Sequence, residues 1–366
     1  MLRLLRRLVQ TESPSLEKAA VDRLGRLLAR EWRRRGAAVR LLRQRQRGNH
    51  LRASVWLGRG RPSGQLLVLG HLDTVYPLGT LRRMPFRVAG RRVHGPGVYD
   101  MKAGLVMALF AVDALRQLQI APQKRLLFLF TSDEEIGSDS SRRWIEAEAR
   151  RSDAVLVLEP SAGRDGRLKT ARKGVGLWTV TAHGRAAHAG INPQDGVNAI
   201  HELALQIARI VRFHQPRRGI TVNADVIAGG TRSNVIAERA TAEVDVRVWR
   251  MADAARLARK FRALRPVLRG ARLEVRGELN RPPLERTREV VRLFRHAQRL
   301  AREMGWELNE AATGGGSDGN LTAALGIPTL DGLGAVGGGA HSPNEFIDAR
   351  SLPERAALLA GLLATL

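Results

Sequence analysis

Cysteine is absent from this chain of 366 residues, and its absence excludes one class of crosslink and one class of metal site. Without thiols there are no disulfides and no thiolate ligands, so any metal ion must be bound by histidine, aspartate or glutamate. The chain also lacks an apolar run long enough to cross a bilayer, and we expect no membrane association. Residues 1–9 combine arginine with spaced leucine and valine, which indicates a short amphipathic helix and no signal peptide. We therefore expect a cytoplasmic protein.

Aromatic residues are also scarce, at 4% of the chain, although the formal net charge is +26. A charge of this size raises the possibility of a nucleic-acid-binding protein. The basic residues, of which only six are lysine, are nevertheless scattered over every predicted helix face and form no single block. So few aromatic rings provide no stacking platform for single strands. We interpret the charge as a solvated, arginine-rich surface with a general attraction for anionic substrates, and we expect no nucleic-acid partner.

The apolar residues, 44% of the chain, follow a pattern typical of an α/β protein. Three continuous apolar runs, at 65–70, 125–131 and 154–158, have the composition of strands that are buried on both faces. Helical segments separate these runs, so the order predicts βαβ units. We expect a mixed, largely parallel sheet flanked by helices.

The pattern changes near residue 174, after which the strands alternate between apolar and polar residues. From 177 to 276 the segments follow the order β-α-β-β-α-β, which resembles a ferredoxin-like α+β domain. Two prolines mark its end, and a long helix then resumes the first domain. We expect one domain made of residues 1–174 and 283–366, with a second domain inserted at 175–282.

Side chains that can bind metal follow the three buried strands at their C-terminal ends, where open α/β sheets build their sites. His71 and Asp73 follow the first strand, Glu134 and Glu135 the second, and Glu159 the third. Successive residues in a loop point in different directions, so one of the two adjacent glutamates can bind metal while the other faces the substrate. A glutamate that contacts water but not metal is the natural general base. Asp73 could accept the second N–H of the His71 imidazole and so orient the ring.

Two further candidates, Asp100 and His341, lie in glycine-rich loops. Asp100 precedes an apolar helix, where a lone aspartate is usually an N-cap. A carboxylate has two oxygens, however, and can also bridge two metal ions. The two histidines together with Asp100 and two glutamates suit a pair of divalent ions that accept nitrogen and oxygen ligands, with zinc as the first choice. Such a pair can hold a hydroxide and polarise a carbonyl.

These motifs, in this order, closely resemble those of the di-zinc exopeptidases, a family that includes glutamate carboxypeptidase, acetylornithine deacetylase and succinyl-diaminopimelate desuccinylase. The matching segments are His71 to Val75, Gly95 to Gly104, Asp133 to Gly137, Glu159-Pro160, Arg185 to Gly190 and Ala340 to Glu345. The glutamate carboxypeptidase branch resembles the chain further at Thr170 to Gly176 and Gly314 to Gly319. The resemblance implies a zinc-exopeptidase catalytic domain with an inserted lid and dimerisation domain.

The resemblance also implies a role for each matching metal-site residue. Asp100 would bridge two zinc ions, for which Co²⁺ or Mn²⁺ could substitute. His71 and Glu159 would complete one ion, and Glu135 and His341 the other. Glu134 would be the general base, taking a proton from the bridging water and passing it to the leaving amine.

Further implied roles concern the substrate. His188 matches a lid histidine that, in the family's dimers, reaches the partner subunit's site and stabilises the oxyanion. Asn234 and Arg247 match lid positions that contact substrate, and Gly316 and Ser317 match the loop that receives its carboxylate. An arginine suits that carboxylate because its guanidinium is always charged and binds in a bidentate manner.

The sequence therefore predicts a homodimeric, zinc-dependent hydrolase that cleaves an amide beside a free carboxylate in a peptide or a small molecule. A carboxypeptidase that releases C-terminal glutamate is the first interpretation. An N-acyl-amino-acid deacylase is the alternative, because both enzymes would use the same ligands. A non-catalytic binding protein on this fold would be expected to lack ligands or the base, yet all are present.

Overall fold

The computed structural model describes all 366 residues, which form two compact units. The first unit comprises Met1–Ala171, Arg286–Thr313 and Ser317–Leu366. The second comprises Arg172–Glu285 together with Gly314–Gly316. None of the helices is long and apolar enough to cross a membrane.

The regular elements are numbered here in chain order. The helices are α1 Leu2–Val9, α2 Lys18–Arg34, α3 Ala103–Gln117, α4 Arg142–Ala149, α5 Ala199–Ile210, α6 Met251–Arg262, α7 Arg288–Glu303, α8 Asp318–Ala323 and α9 Ser351–Thr365. The strands are β1 Ala38–Leu42, β2 His50–Val55, β3 Gln65–His71, β4 Arg87–Ala89, β5 Arg92–His94, β6 Arg125–Thr131, β7 Ala154–Val157, β8 Leu168–Arg172, β9 Gly174–His183, β10 Thr221–Gly229, β11 Arg239–Val248, β12 Arg272–Arg281, β13 Glu310–Thr313, β14 Thr329–Leu330, β15 Gly337–Gly338 and β16 Phe346–Asp348.

The first unit is built on a six-stranded sheet in the order β1-β2-β6-β3-β7-β14. Strands β6, β3, β7 and β14 run parallel, whereas β2 pairs antiparallel with both β1 and β6. The sheet is therefore mixed and largely parallel, as the sequence predicts. Two small antiparallel pairings matter for the site: β16 pairs with β5, and β5 pairs with β4.

The continuous apolar runs arise because β3 and β6 are covered on both faces. Along β3, Leu66 and Val68 belong to one apolar cluster, while Leu67 and Leu69 belong to another. The first cluster includes residues of α1, α2, α3, α7 and α9, and the second includes residues of α4 and α8. Successive side chains of a strand point to opposite faces, so helices on both sides require an unbroken apolar strand.

The second unit is an antiparallel sheet in the order β10-β11-β9-β12 with two helices, α5 and α6. Its chain order is β9-α5-β10-β11-α6-β12, the β-α-β-β-α-β arrangement of a ferredoxin-like α+β fold. A separate apolar cluster that includes Trp178, Leu203 and Phe261 forms its core. Trp178 and Phe261 stack with ring centroids 4.6 Å apart, which stabilises the contact between the sheet and α6.

Candidate metal centre

The parallel strands bring the sequence-predicted ligands of the first unit to one edge of the sheet. The register places His71, the last residue of β3, beside Thr131 at the end of β6. It also places Leu69 beside Val157, the last residue of β7. The side chains that follow these three strands therefore emerge together at the carboxyl edge of the sheet, as expected for an α/β site.

His71 is fixed in orientation by its own loop. Its side chain is only 2% exposed, and Nδ1 lies 2.9 Å from the carbonyl oxygen of Asp73. A carbonyl accepts, so Nδ1 carries the proton and donates it, which leaves the lone pair on Nε2. Nε2 lies 3.2 Å from Asp100 Oδ1 and 3.5 Å from Glu159 Oε1. The ring thus presents its metal-binding nitrogen to two carboxylates.

Asp73 orients the ring through its main chain, and its carboxylate has another function. Asp73 Oδ1 lies 3.6 Å from His71 Nδ1, beyond a good hydrogen bond. The two carboxylate oxygens instead accept the main-chain N–H groups of Glu134 and Glu135, each at 3.2 Å. Asp73 does accept from the imidazole, but through its carbonyl oxygen and not through its carboxylate. The carboxylate fixes the loop that carries the two glutamates.

Ser15 is the third donor to Asp73. Its hydroxyl donates to Asp73 Oδ2 at 2.7 Å. A serine shortly before a helix is often its N-cap, but Ser15 does not cap α2, which begins after Glu17 and has no side-chain cap. The hydroxyl is used to stabilise a buried carboxylate instead of a helix terminus.

Asp100 lies between the two histidines. Its Oδ1 faces His71 Nε2, and its Oδ2 lies 3.5 Å from His341 Nε2. The imidazole of His341 in turn lies 3.2 Å from Glu135 Oε2. Asp100 is not an N-cap, because helix α3 begins at Ala103 without a side-chain cap. Each oxygen of one carboxylate therefore faces a different histidine, and each histidine has a second carboxylate beside it.

The pKa values of these groups reflect the concentrated charge. Burial would lower the pKa of His71, but Asp100, Asp73 and Glu159 raise it well above its ordinary value. Hydrogen bonds with Asp100 and Glu135 raise the pKa of His341 to about 10. Burial raises the pKa of Glu135 to about 7. Without a bound cation, these three side chains therefore bind protons more readily than they would in water, because several carboxylates lie close together where little water reaches them.

The chemistry of this donor set fits divalent metal ions. Two sets of three residues each bring their possible ligand atoms within 4.8 Å of one another. One set is His71, Glu134 and Glu159, and the other is His71, Asp100 and Glu135. All donors are imidazole nitrogens or carboxylate oxygens, which zinc accepts. Glu135 Oε1 is buried and has no hydrogen-bond partner, and a bound cation would satisfy it. Glu134 lies within reach of an ion, so the choice between base and ligand remains a prediction.

Two residues that support the site, Glu345 and Tyr76, received no role from the sequence. Glu345 is fully buried and accepts main-chain N–H groups of the loop that carries Asp100. The hydroxyl of Tyr76 donates to the carbonyl of Ser342, next to His341, at 3.0 Å. Glu345 is the last residue of the matching segment Ala340 to Glu345, and this position was the only available signal.

The predicted catalytic residue His188 and two predicted substrate-binding residues, Asn234 and Arg247, belong to the second unit. The first two lie on neighbouring segments, since the N–H of Ala189 donates to the carbonyl of Asn234 at 3.0 Å. His188 Nδ1 accepts the main-chain N–H groups of Gly190 and Ile191 at 3.2 and 3.1 Å. The neutral ring therefore carries its proton on Nε2, where it is an available donor.

Arg247 and the predicted carboxylate-binding loop meet within the second unit. Arg247 Nη1 donates to the carbonyl of Gly314 at 3.0 Å, and its Nε donates to Asp245 Oδ1 at 3.0 Å. Gly316 belongs to the same unit and accepts from Arg172 at 3.0 Å. Ser317 belongs to the first unit, where its buried hydroxyl donates to Asp331 at 2.6 Å and caps helix α8. Its predicted contact with substrate stays a prediction.

Comparison with known proteins gives the family. The model of Peptidase family M20/M25/M40 matches residues 67–365. Carboxypeptidase G2 of Pseudomonas sp. (strain RS-16) is 34% identical over 312 residues, which are 84% of this chain and 75% of that protein. Acetylornithine deacetylase of Salmonella arizonae is 29% identical over 265 residues, 67% of each chain. The crystal structure of aminopeptidase PepT from Bacillus cereus superposes with a TM-score of 0.80 at 22% identity, covering 99% of this chain and 97% of that one.

The match covers most of the chain, and the site lies within it. The chain belongs to Peptidase family M20/M25/M40. It is a hydrolytic metallopeptidase of the group that contains carboxypeptidase G2 and the acetylornithine deacetylases. The resemblance inferred from the motifs is thereby confirmed, as is the α/β fold with its inserted α+β domain.

Proposed function

We propose that this chain is a two-zinc carboxypeptidase that releases C-terminal glutamate from peptides or N-acyl conjugates. The observation that carries the metal centre is the position of Asp100, whose two oxygens each face a different histidine. His71 has Glu159 beside it, and His341 has Glu135. This doubled arrangement supports two ions that share one carboxylate. Such ions, when bound, supply an activated water and polarise the scissile carbonyl.

The residues of the chain then have separate functions. His71, Asp100, Glu135, Glu159 and His341 bind the ions. Glu134 takes a proton from the attacking water at its carboxylate and passes it to the leaving amine. Asp73 holds the main-chain N–H groups of both glutamates, so it fixes their relative orientation. Because Glu135 contacts His341 and has a buried, unpartnered oxygen, we assign the metal to Glu135 and the proton transfer to Glu134.

The preference for glutamate rests on the likeness to carboxypeptidase G2 and on the cationic groups of the second unit. Arg247 and Lys173 each provide a cation there, and we assign Arg247 to the free carboxylate of the substrate. We also assign a substrate contact to Asn234, and Gly316 and Ser317 would belong to the loop that receives the carboxylate.

We further propose that the protein acts as a homodimer. In this proposal the His188 imidazole of one protomer donates its Nε2–H to the oxyanion at the site of the other. The two main-chain N–H groups that bind His188 Nδ1 support this, because they fix the tautomer that such a donor needs.

An N-acyl-amino-acid deacylase is the second candidate, and the likeness to acetylornithine deacetylase favours it. Both reactions cleave an amide beside a carboxylate, so the same ligands and base would serve both. They differ in which part of the substrate must fit: a glutamate side chain after the scissile bond, or a small acyl group before it.

A hydrolysis screen with zinc-loaded protein separates these candidates. The carboxypeptidase predicts fastest cleavage of N-acyl and peptidyl glutamates and slow cleavage of N-acetylornithine. Amidation of the terminal carboxylate should abolish cleavage, and metal-stripped protein is the control. Fastest cleavage of N-acetylornithine would favour the deacylase, and rapid cleavage of the amidated substrate would contradict both.

A further inference from the structure

The carboxylate of Glu345 is fully buried, yet it belongs to no metal-binding group of the site. It accepts three main-chain hydrogen bonds from one loop. The N–H groups of Tyr99 and Asp100 donate to Oε1 at 2.7 and 2.9 Å, and the N–H of Gly97 donates to Oε2 at 3.0 Å. Glu345 therefore holds the backbone of Asp100 itself.

Glu345 also ties the Asp100 loop to the His341 loop. It follows His341 by four residues and directly precedes β16. Strand β16 pairs with β5, with Phe346 opposite His94, and β5 leads directly into the loop that ends at Asp100. Both loops are therefore joined to the β5–β16 strand pair, and the Glu345 carboxylate joins them to each other a second time. Two attachments fix the separation of the loops better than one.

The chemistry at this position requires a carboxylate. Three N–H donors converge on two oxygens, and an ionised carboxylate is the one side chain that offers acceptors on both atoms without a donor. A glutamine of the same shape would direct an NH₂ group at a main-chain N–H, leaving a buried donor unsatisfied. Glu345→Gln is thus a nearly isosteric change that breaks one side of the attachment.

We propose that Glu345 is a positioning residue that sets the two oxygens of Asp100 relative to His341, and thereby sets the affinity of the site for metal. This inference rests on the proposed metal centre. Its physical basis is that groups behind a ligand determine where the ligand atoms lie, and replacing such groups weakens metal binding by about 10–100-fold.

Glu202 provides a matched control in the second unit. It is also fully buried, and it accepts the main-chain N–H groups of Val267 and Leu268 as well as the amide of Gln206. Glu202→Gln therefore breaks an equivalent cluster of hydrogen bonds. Any loss of stability that follows from removing a buried carboxylate should occur in both variants.

The experiment is a titration of metal-free full-length protein with Co²⁺, read by visible absorption, alongside thermal unfolding. We expect Glu345→Gln to weaken Co²⁺ binding by about 10–100-fold and to alter the cobalt spectrum. Glu202→Gln should lower the unfolding temperature and leave affinity and spectrum unchanged. Glu345→Gln that binds Co²⁺ like wild type, with an unchanged spectrum, would overturn the inference.

Two further outcomes keep the test decisive. If Glu345→Gln does not fold, Tyr76→Phe takes its place, because the Tyr76 side chain hydrogen-bonds with the Glu345 carboxylate and also donates to the carbonyl of Ser342 beside His341. A change in the cobalt spectrum of Tyr76→Phe supports the inference, and an unchanged spectrum overturns it. Wild-type protein that takes up no Co²⁺ would overturn the proposed function as well, whereas normal uptake by wild type and Glu345→Gln alike overturns only the role of Glu345.

Discussion

The two histidines of the proposed centre lie in opposite kinds of environment. His71 ends a central strand, is 2% exposed and donates Nδ1–H to a main-chain carbonyl. His341 lies in a glycine-rich loop with a positive φ of 60° and has a side chain that is 53% exposed. The sheet therefore fixes one half of the site, whereas loop contacts fix the other. A preorganised half should bind its ion more tightly than a half that must be ordered on binding.

The largest effect should come from removing either histidine. We expect His71→Ala to lose both ions and all measurable turnover, because it removes the preorganised half of the site and the remaining half must be ordered on binding. His341→Ala should retain one ion, held on the His71 side, and lose most of its activity. Metal analysis after gel filtration measures the difference. Equal metal content in the two variants would contradict the unequal halves.

The adjacent glutamates sharpen the comparison within one loop. Glu134→Gln should keep its metal but lose turnover by about 10²–10⁴-fold, since a general base contributes that much. Glu135→Gln should bind metal more weakly, because its carboxylate contacts His341. Metal content and kcat are measured for both variants. A reversed outcome would mean that the roles of the two residues must be exchanged.

A third histidine, His188, tests whether the site is complete in one chain. His188→Ala should lower kcat by about 10²–10³-fold without loss of metal, because an oxyanion donor does not touch the ions. Mixing His188→Ala with Glu134→Gln chains should restore activity, since a mixed dimer would contain one intact site. Absence of recovery despite proven subunit exchange would show that His188 does not act across protomers.

The smallest effect concerns Ser15, whose hydroxyl hydrogen-bonds to Asp73 beside the buried His71. Ser15→Ala removes the hydroxyl that donates to Asp73 and should lower the free energy of unfolding by about 1.5–3 kcal/mol, the range for a hydrogen bond to a charged group. Ser13→Ala is the control, because its buried hydroxyl has no partner. Chemical denaturation compares the two variants, and an equal loss in both would contradict a specific role for Ser15.

The sequence was most informative where one physical rule acts alone. The unbroken apolar runs of β3 and β6 predicted a sheet covered on both faces, and the grouping of the candidate ligands at their ends followed from the parallel order. Local patterns were weaker guides to hydrogen-bond partners. Ser15 resembles a helix cap in sequence, but Asp73 lies 58 positions away and is a better acceptor in the fold. The burial of Glu345 could not be read from its neighbours, because it depends on the pairing of β16 with β5.

The most direct test is a zinc titration of metal-free protein, following bound zinc and hydrolysis of an N-acyl glutamate in the same samples. The account predicts that two zinc ions bind per chain, the first more tightly than the second, and that full activity requires the second. Restoration of full activity by a single ion per chain, or full turnover by rigorously metal-free protein, would contradict it.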